Sequence, residues 1–305
     1  YTLHSLLMAG AVIAALALIR PMVGYVRKNF ELVATGALLF YPLLRSVTGG
    51  QNTALSLLAL AAIWRLLHDD QQLAAGLVIA LLMFKPQFAI PLIGLMFLTR
   101  RWRAATSAVF GSAVLWLAAA GLMGVNWLTV WWNEVADFAS IDAEVNGHNA
   151  ISWLGVGEHL FGPGSTAAAA FAGPAVLASI GAVVWVWTKP NLGLDVRIAA
   201  TALALILISP HAMFYDAGLL VLAAVVLLDR LGSDAYMPIA ICWFGAWLHL
   251  GASWIDFSIL FVVMVLTSAI AAKQLWRSRK VRRRDPVAGH DESCSPTPQL
   301  RPTTQ

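Results

Sequence analysis

The chain has 305 residues, of which 59% are hydrophobic and 12% carry a formal charge. Soluble domains contain roughly 45–50% apolar and about 25% charged residues, so this composition excludes a soluble enzyme and a nucleic-acid-binding module. Cys242 and Cys294 lie in very different settings and indicate no disulfide scaffold. The apolar residues gather in long blocks, which is typical of a polytopic helical membrane protein.

An α-helix needs about 20 predominantly apolar residues to cross the roughly 30 Å core of a bilayer. We count roughly eleven candidate segments and predict an all-α bundle with short broken hairpins. Their approximate spans are 2–19, 31–47, 52–67, 73–84, 88–99, 104–123, 171–187, 195–209, 215–229, 236–250 and 254–272. Basic residues follow alternate segments, and the positive-inside rule places those connections in the cytoplasm.

The stretch 73–99 decides the predicted topology. As one helix it would be about 40 Å long and would carry the basic run 100–103 to the wrong side. Two short antiparallel helices that meet at the turn 85–87 avoid this conflict. Such a turn places a charged, broken backbone at membrane depth, which is tolerated only where protein or a wet cavity surrounds it.

The connection 124–170 is predicted to lie outside the cell, because it contains acids but no Lys or Arg. Its start, 126–138, brings three tryptophans together and predicts an interfacial helix. The membrane domain is predicted to cover residues 1–276. The segment 277–305 turns basic and then rich in Pro, Ser, Thr and Gln, which predicts a disordered cytoplasmic tail whose run 290–292 is solvated and binds no metal.

Two cations, Arg45 and Lys85, lie on the predicted outer half against the positive-inside trend. Snorkelling to the interface is the alternative for each. A cation inside the membrane is by default a functional-site hypothesis, and a lipid phosphate is the natural partner at that depth. We expect both side chains to point into one outer cavity. Gln51 and Asn52 lie close to Arg45, and either cap the third segment or bind sugar hydroxyls.

Further polar candidates lie in two loops. His211, Tyr215 and Asp216 share one short turn and form a set able to hold a hydroxyl or a phosphate. The alternative for His211 is a helix-end residue satisfied by backbone groups. His148 and Asn149 precede a predicted helix start, where Asn149 is a candidate N-cap.

Three runs occur in an order that resembles a known family. They are PLLRSVTGGQNTALSLLALA (42–61), AAGLVIALLMFKPQFAIPLIGLMFLTRRWRA (74–104) and SPHAMFYD (209–216). With them, the stretch from Tyr1 to about residue 275 resembles glycosyltransferase family 87, whose members are polyprenyl-phosphate-dependent membrane enzymes of the GT-C class and include mycobacterial α-1,2-mannosyltransferases. The resemblance implies a GT-C type helical bundle.

The resemblance implies an inverting transfer of a sugar, mannose above all, from a polyprenyl-phosphate donor to a glycolipid or glycan acceptor. The reaction would take place on the outer face of the bacterial inner membrane, with no nucleotide sugar, metal or other cofactor. The resemblance implies that Arg45 and Lys85 bind the phosphate. It implies that Gln51, Asn52, His211 and Asp216 line the substrate cavity. Together with the loop and turn residues, the candidate substrate contacts are Arg45, Gln51, Asn52, Lys85, Gln87, His148, Asn149 and Tyr215.

Members of the family also carry an acidic residue in an outer loop that resembles the general base of other GT-C enzymes. Nothing here matches that acid, so the base is expected upstream of Tyr1, with His211 and Asp216 as candidate assistants. The chain is therefore expected to be a truncated and inactive piece.

Two other classes of function stay open. A transporter of a small polar or anionic solute would also use outer-half charges and broken hairpins, but it predicts an internal repeat and midplane polar residues. A membrane scaffold would use Arg45 and Lys85 as structural ion-pair members with acids such as Asp216.

Overall fold

The computed structural model describes residues 2–284, except for the side chains of residues 136, 139, 140, 143 and 278–284. Residues 2–284 are helical and contain no β-strand, in agreement with the predicted all-α class. Beyond the short helices, their regular structure includes a single antiparallel bridge between Ala150 and Met213. The predicted tail run 290–292 and Cys294 lie outside the described residues.

The helices follow the predicted apolar segments closely. In chain order they are α1 (Thr2–Ile19), α2 (Gly24–Lys28), α3 (Phe30–Leu38), α4 (Tyr41–Thr48), α5 (Thr53–His68), α6 (Gln72–Leu81), α7 (Pro86–Leu98), α8 (Trp102–Met123), α9 (Trp127–Asn146), α10 (Trp153–Phe161), α11 (Thr166–Thr188), α12 (Leu194–Ile208), α13 (Leu220–Leu231), α14 (Tyr236–Leu248), α15 (Ala252–Ile255) and α16 (Ile259–Arg284). Short 3₁₀ turns at Leu82–Phe84, Gly147–Asn149 and Phe214–Leu219 matter for the site.

Fewer helices than predicted are long enough to cross a bilayer. Within residues 2–284, α1, α8, α11 and the first 19 residues of α16 are sufficiently long and apolar. The pair α3 and α4 qualifies only when taken together, and it is bent by 67°. Four or five candidate spans result, so the eleven spans are not confirmed. The other apolar segments are shorter helices; α7, with 13 residues, is only about 20 Å long.

The predicted break at the turn 85–87 is confirmed. α6 ends in the 3₁₀ turn Leu82–Phe84, Lys85 adopts φ −128° and ψ 77°, and α7 starts at Pro86. A residue before proline is disfavoured in the helical region, whereas proline itself is well suited to the first helical position. The sequence Lys-Pro thus ends one helix and begins the next.

The helices pack closely where small residues face each other. α8 packs along α6, and Gly76 is a point of close approach between them. A Cβ at Gly76 would lie 2.8 Å from the Ser107 side chain and 2.9 Å from the Ala108 nitrogen. Ser107 Oγ also donates a 2.7 Å hydrogen bond to the Leu73 carbonyl. Gly94 on α7, in contrast, has nothing within 4 Å of a Cβ position.

We expect Gly76→Ala to lower the Tm of the purified protein. The overpacking costs about 1–3 kcal/mol, which outweighs the gain of roughly 1 kcal/mol from replacing a helical glycine. Gly94→Ala is the matched control and should leave the Tm unchanged or raise it. Equal shifts for the two variants would contradict the close packing of α6 on α8.

Candidate active site

A buried ion pair joins two distant segments of the chain. Lys85 Nζ lies 2.5 Å from Asp216 Oδ1, and Thr53 Oγ1 donates to the same oxygen at 2.9 Å. The exposed fractions of Lys85, Asp216 and Thr53 are 7%, 2% and 0%. Because a buried charge is costly unless it is paired and hydrogen-bonded, these contacts bind the turn 85–87, the start of α5 and the turn 214–219 together.

The turn 214–219 is shaped to hold Asp216 against α5. Asp216 Oδ2 accepts a 3.4 Å hydrogen bond from the Met213 backbone nitrogen. Gly218 permits the close approach of neighbouring side chains, because a Cβ there would lie 2.5 Å from Leu43 and 3.1 Å from Thr53. The carboxylate therefore has both oxygens in contact with donors.

Two aromatic rings lie beside the Lys85 ammonium group. Its nitrogen is 5.2 Å from the centroid of Phe88 and 5.7 Å from that of Tyr215. Such contacts attract a cation through the ring quadrupole. The predicted site residues Lys85, Tyr215 and Asp216 are thus brought together.

A second carboxylate, Asp142 of α9, faces His211. Asp142 is 7% exposed, and its Oδ1 accepts a 2.8 Å hydrogen bond from Asn146 Nδ2. Its Oδ2 is buried, has no hydrogen-bond partner among the described residues, and lies 3.7 Å from His211 Nδ1. The ring of Phe138 contacts the His211 ring edge-on at 6.3 Å. His211 is therefore not a helix-end residue satisfied by its own backbone alone.

A chain of hydrogen bonds links His148, Asn149 and His249. Asn149 Nδ2 lies 3.0 Å from His148 Nε2, and Asn149 Oδ1 lies 3.1 Å from His249 Nε2. His249 is 3% exposed, packs on Phe214 with ring centroids 4.9 Å apart, and has no described hydrogen-bond partner at its buried Nδ1. A buried polar atom without a hydrogen-bond partner is uncommon in native proteins.

Asn149 does not cap a helix, so that alternative was wrong. α10 begins at Trp153, and Ser152 is its N-cap, with Oγ accepting from the Gly155 nitrogen at 3.2 Å. Because Ser152 occupies the N-cap position three residues later, the Asn149 amide is left to contact the two histidines.

The loop after α9 and the segment 209–216 are bonded to each other. The Ile151 nitrogen donates a 2.9 Å hydrogen bond to the Ala212 carbonyl, next to the bridge between Ala150 and Met213. The Asp142, Asn149 and Asp216 groups consequently lie at one end of the bundle.

Other predicted site residues do not take part in these hydrogen bonds and ion pairs. Arg45 is exposed on α4, and its side chain makes no hydrogen bond or ion pair with a described residue. Lys85 is buried because Asp216 neutralises it, whereas Arg45 has no such partner and stays in contact with the surroundings. Gln51, Asn52 and Gln87 are half-buried. Asn52 occupies the N-cap position of α5, but its side chain makes no capping hydrogen bond.

Four residues of this end were not among the predicted site residues: Thr53, Asp142, Asn146 and His249. Thr53 and His249 lie in apolar segments, where they resemble ordinary helix residues. Asn146 gave no signal beyond its place four residues after Asp142, the spacing that puts two side chains on one helical face. Within residues 2–284, no three His, Cys, Asp or Glu side chains group closely enough to hold a metal ion.

An apolar groove of about 450 Å³ lies beside this end, between α7, α11 and α12. Pro86, Gln87 and Pro210 line it next to Lys85 and Ser209, and it continues along α7 to Leu98. Gln87 is thus the predicted site residue that borders both the turn and the groove.

Comparison with known proteins gives one match. The sequence profile of glycosyltransferase family 87 matches residues 1–210, more than half of the chain. No curated protein and no solved structure matches. The matched stretch contains Lys85, Asp142 and Asn149, and the length of the match shows that the chain belongs to glycosyltransferase family 87.

Proposed function

We propose that the protein transfers a sugar from a polyprenyl-phosphate donor to a glycolipid or glycan acceptor, at the end of the bundle that holds Lys85 and Asp216. Membership of a glycosyltransferase family supports the reaction class. One observation carries the choice of a lipid-linked donor: the apolar groove along α7 starts at Gln87, two residues from a buried cation. An isoprenoid chain fits such a groove while its phosphate stays at the polar end.

The departing lipid phosphate requires positive charge. We propose that Lys85, held in place by Asp216 and Thr53, supplies it from inside the protein. Arg45 lies on α4, which packs against the turn 214–219, and its exposed guanidinium is unengaged by described residues. Its planar fork suits a phosphate, which we propose it binds first.

The acceptor hydroxyl must lose a proton as it attacks the anomeric carbon. Among the described residues, we propose Asp142 as the base, because Asn146 holds one oxygen and leaves the other without a hydrogen-bond donor. His211, 3.7 Å from that oxygen, would stabilise the carboxylate or pass the proton on. This role replaces the expectation that the base must lie upstream of Tyr1.

The amides and imidazoles around these groups suit sugar hydroxyls, which need both donors and acceptors. We assign this role to Gln51, Asn52, Gln87, His148, Asn149 and Tyr215, with the unfilled Nδ1 of His249 beside them. Following the family resemblance, we propose mannose as the sugar. We also propose that this end faces the outside of the inner membrane, with the C-terminal tail in the cytoplasm, because basic residues dominate the end of α16. No feature of residues 2–284 favours the transporter alternative.

The donor assignment predicts the outcome of a transfer assay. In membrane vesicles that contain the full-length protein, label should pass from polyprenyl-phosphate mannose to an extractable glycolipid or glycan, and not directly from a nucleotide-linked mannose. Vesicles without the protein are the control. Transfer from the nucleotide sugar in the absence of any lipid donor would contradict the proposal, as would release of intact donor sugar into the vesicle lumen.

The proposed base predicts a specific loss of rate. Asp142→Asn keeps the acceptor for Asn146 but removes the basic oxygen, so transfer should slow by about 10²–10⁴-fold with little change in KM for the donor. Glu144→Gln, an exposed acid on the same helix, should transfer at the parent rate. A parent-like rate for Asp142→Asn would exclude Asp142 as the base.

A further inference from the structure

Two arginines converge on one tryptophan at the opposite end of the bundle. Arg101, between α7 and α8, has its Cζ 5.5 Å from the centroid of the Trp187 ring, and Arg197 of α12 has its Cζ 5.9 Å from the same ring. Trp187 is 4% exposed, and its Nε1 donates a 2.8 Å hydrogen bond to Thr201 Oγ1. The ring is therefore fixed, and both guanidinium groups lie against it.

Several guanidinium N–H groups of these two arginines have no hydrogen-bond acceptor among the described residues. Arg197 Nη2 donates to the Lys189 carbonyl at 2.9 Å, but its buried Nε has no partner among the described residues. The side chain of Arg101 makes no hydrogen bond or ion pair within residues 2–284. Burial and the charge of Arg197 lower the pKa of Arg101, while Asp70 raises it. Because arginine stays protonated in proteins, two permanent cations repel each other here.

Two of the nearby acids are already paired with other arginines. Asp195 binds Arg230 through two hydrogen bonds of 2.6 and 2.8 Å. Asp69 is engaged by Arg65 at 2.6 Å. Asp70 accepts a hydrogen bond from the neutral Gln72 amide at 3.1 Å and keeps its negative charge, which raises the pKa of Arg101. Arg100, Arg103 and Lys189 add further positive charge around the two arginines.

The backbone at this point also favours an anion. Arg101 occupies the N-cap position of α8, a helix of 22 residues, and no side chain caps it. The first amide groups of a helix have no partner within the helix, and the helix dipole makes that end positive. Planar guanidinium groups and free amides together are the donor set that phosphate oxygens accept.

We propose that Arg101, in the α7–α8 connection, and Arg197, in the first turn of α12, bind the phosphate group of an anionic lipid from the leaflet at that end of the bundle. Basic pockets between membrane helices are suited to such headgroups. The site is separate from the transferase end, because α7 has 13 residues and is about 20 Å long. The proposal does not depend on the transfer reaction.

The test uses the purified full-length protein in nanodiscs of phosphatidylcholine with increasing phosphatidylglycerol. The Tm of the parent should rise with the anionic fraction, and native mass spectrometry should show retained phosphatidylglycerol. The double variant Arg101→Gln, Arg197→Gln should retain at least about tenfold less, because it loses charge-assisted hydrogen bonds. Arg27→Gln, an exposed arginine on α2, is the matched control and should behave as the parent.

Two results would overturn the proposal. The first is equal retention of phosphatidylglycerol and phosphatidylcholine by the parent, a readout that does not require any variant to fold. The second distinguishes the source of the phosphate: if inorganic phosphate in pure phosphatidylcholine nanodiscs raises the parent Tm as much as phosphatidylglycerol does, the ligand is a soluble anion and the lipid assignment is wrong.

Discussion

The buried pairing of Lys85 with Asp216 constrains the rest of this structure. A lone charge in apolar surroundings costs several kcal/mol, so each residue can be buried only where the other reaches it across 131 positions of sequence. Satisfying both charges brings Thr53 and the turn 214–219 to the break that Lys-Pro makes in the chain at Pro86. The polar groups of this end therefore lie close to the Lys85–Asp216 ion pair.

The two ends of the bundle differ in chemistry. One end collects Asp142, Asp216, His211 and Asn149 beside a groove with an apolar lining, which suits a sugar attached to a long lipid. The other end is dominated by arginine, and two of its acids, Asp69 and Asp195, are held in ion pairs. In the proposed reaction, the chain of a lipid-linked donor would occupy the groove between α7, α11 and α12, and its sugar would lie among the polar groups of the first end.

Much of the fold could be predicted, because apolar blocks form helices and prolines interrupt them through local effects on the backbone. The break at 85–87 follows from Lys-Pro in an apolar stretch. The number of spans could not be predicted in this way, since hydropathy does not reveal the bend between α3 and α4 or the short lengths of several helices. Lys85 stood out as a cation in an apolar run. Its pairing with Asp216 was only one of several alternatives, because periodicity does not show which distant helices are neighbours. For the same reason His249 was missed.

The central claim is that Lys85 and Asp216 stabilise each other, and a double-mutant cycle tests it directly. The unfolding free energies of the parent, Lys85→Met, Asp216→Leu and the double variant would be measured in one detergent. Each single change leaves a buried charge without its partner and should cost about 3–5 kcal/mol. The double change should cost much less than their sum, giving a coupling energy of about 2 kcal/mol or more. Losses that simply add would show that the two residues do not interact, and would contradict the account.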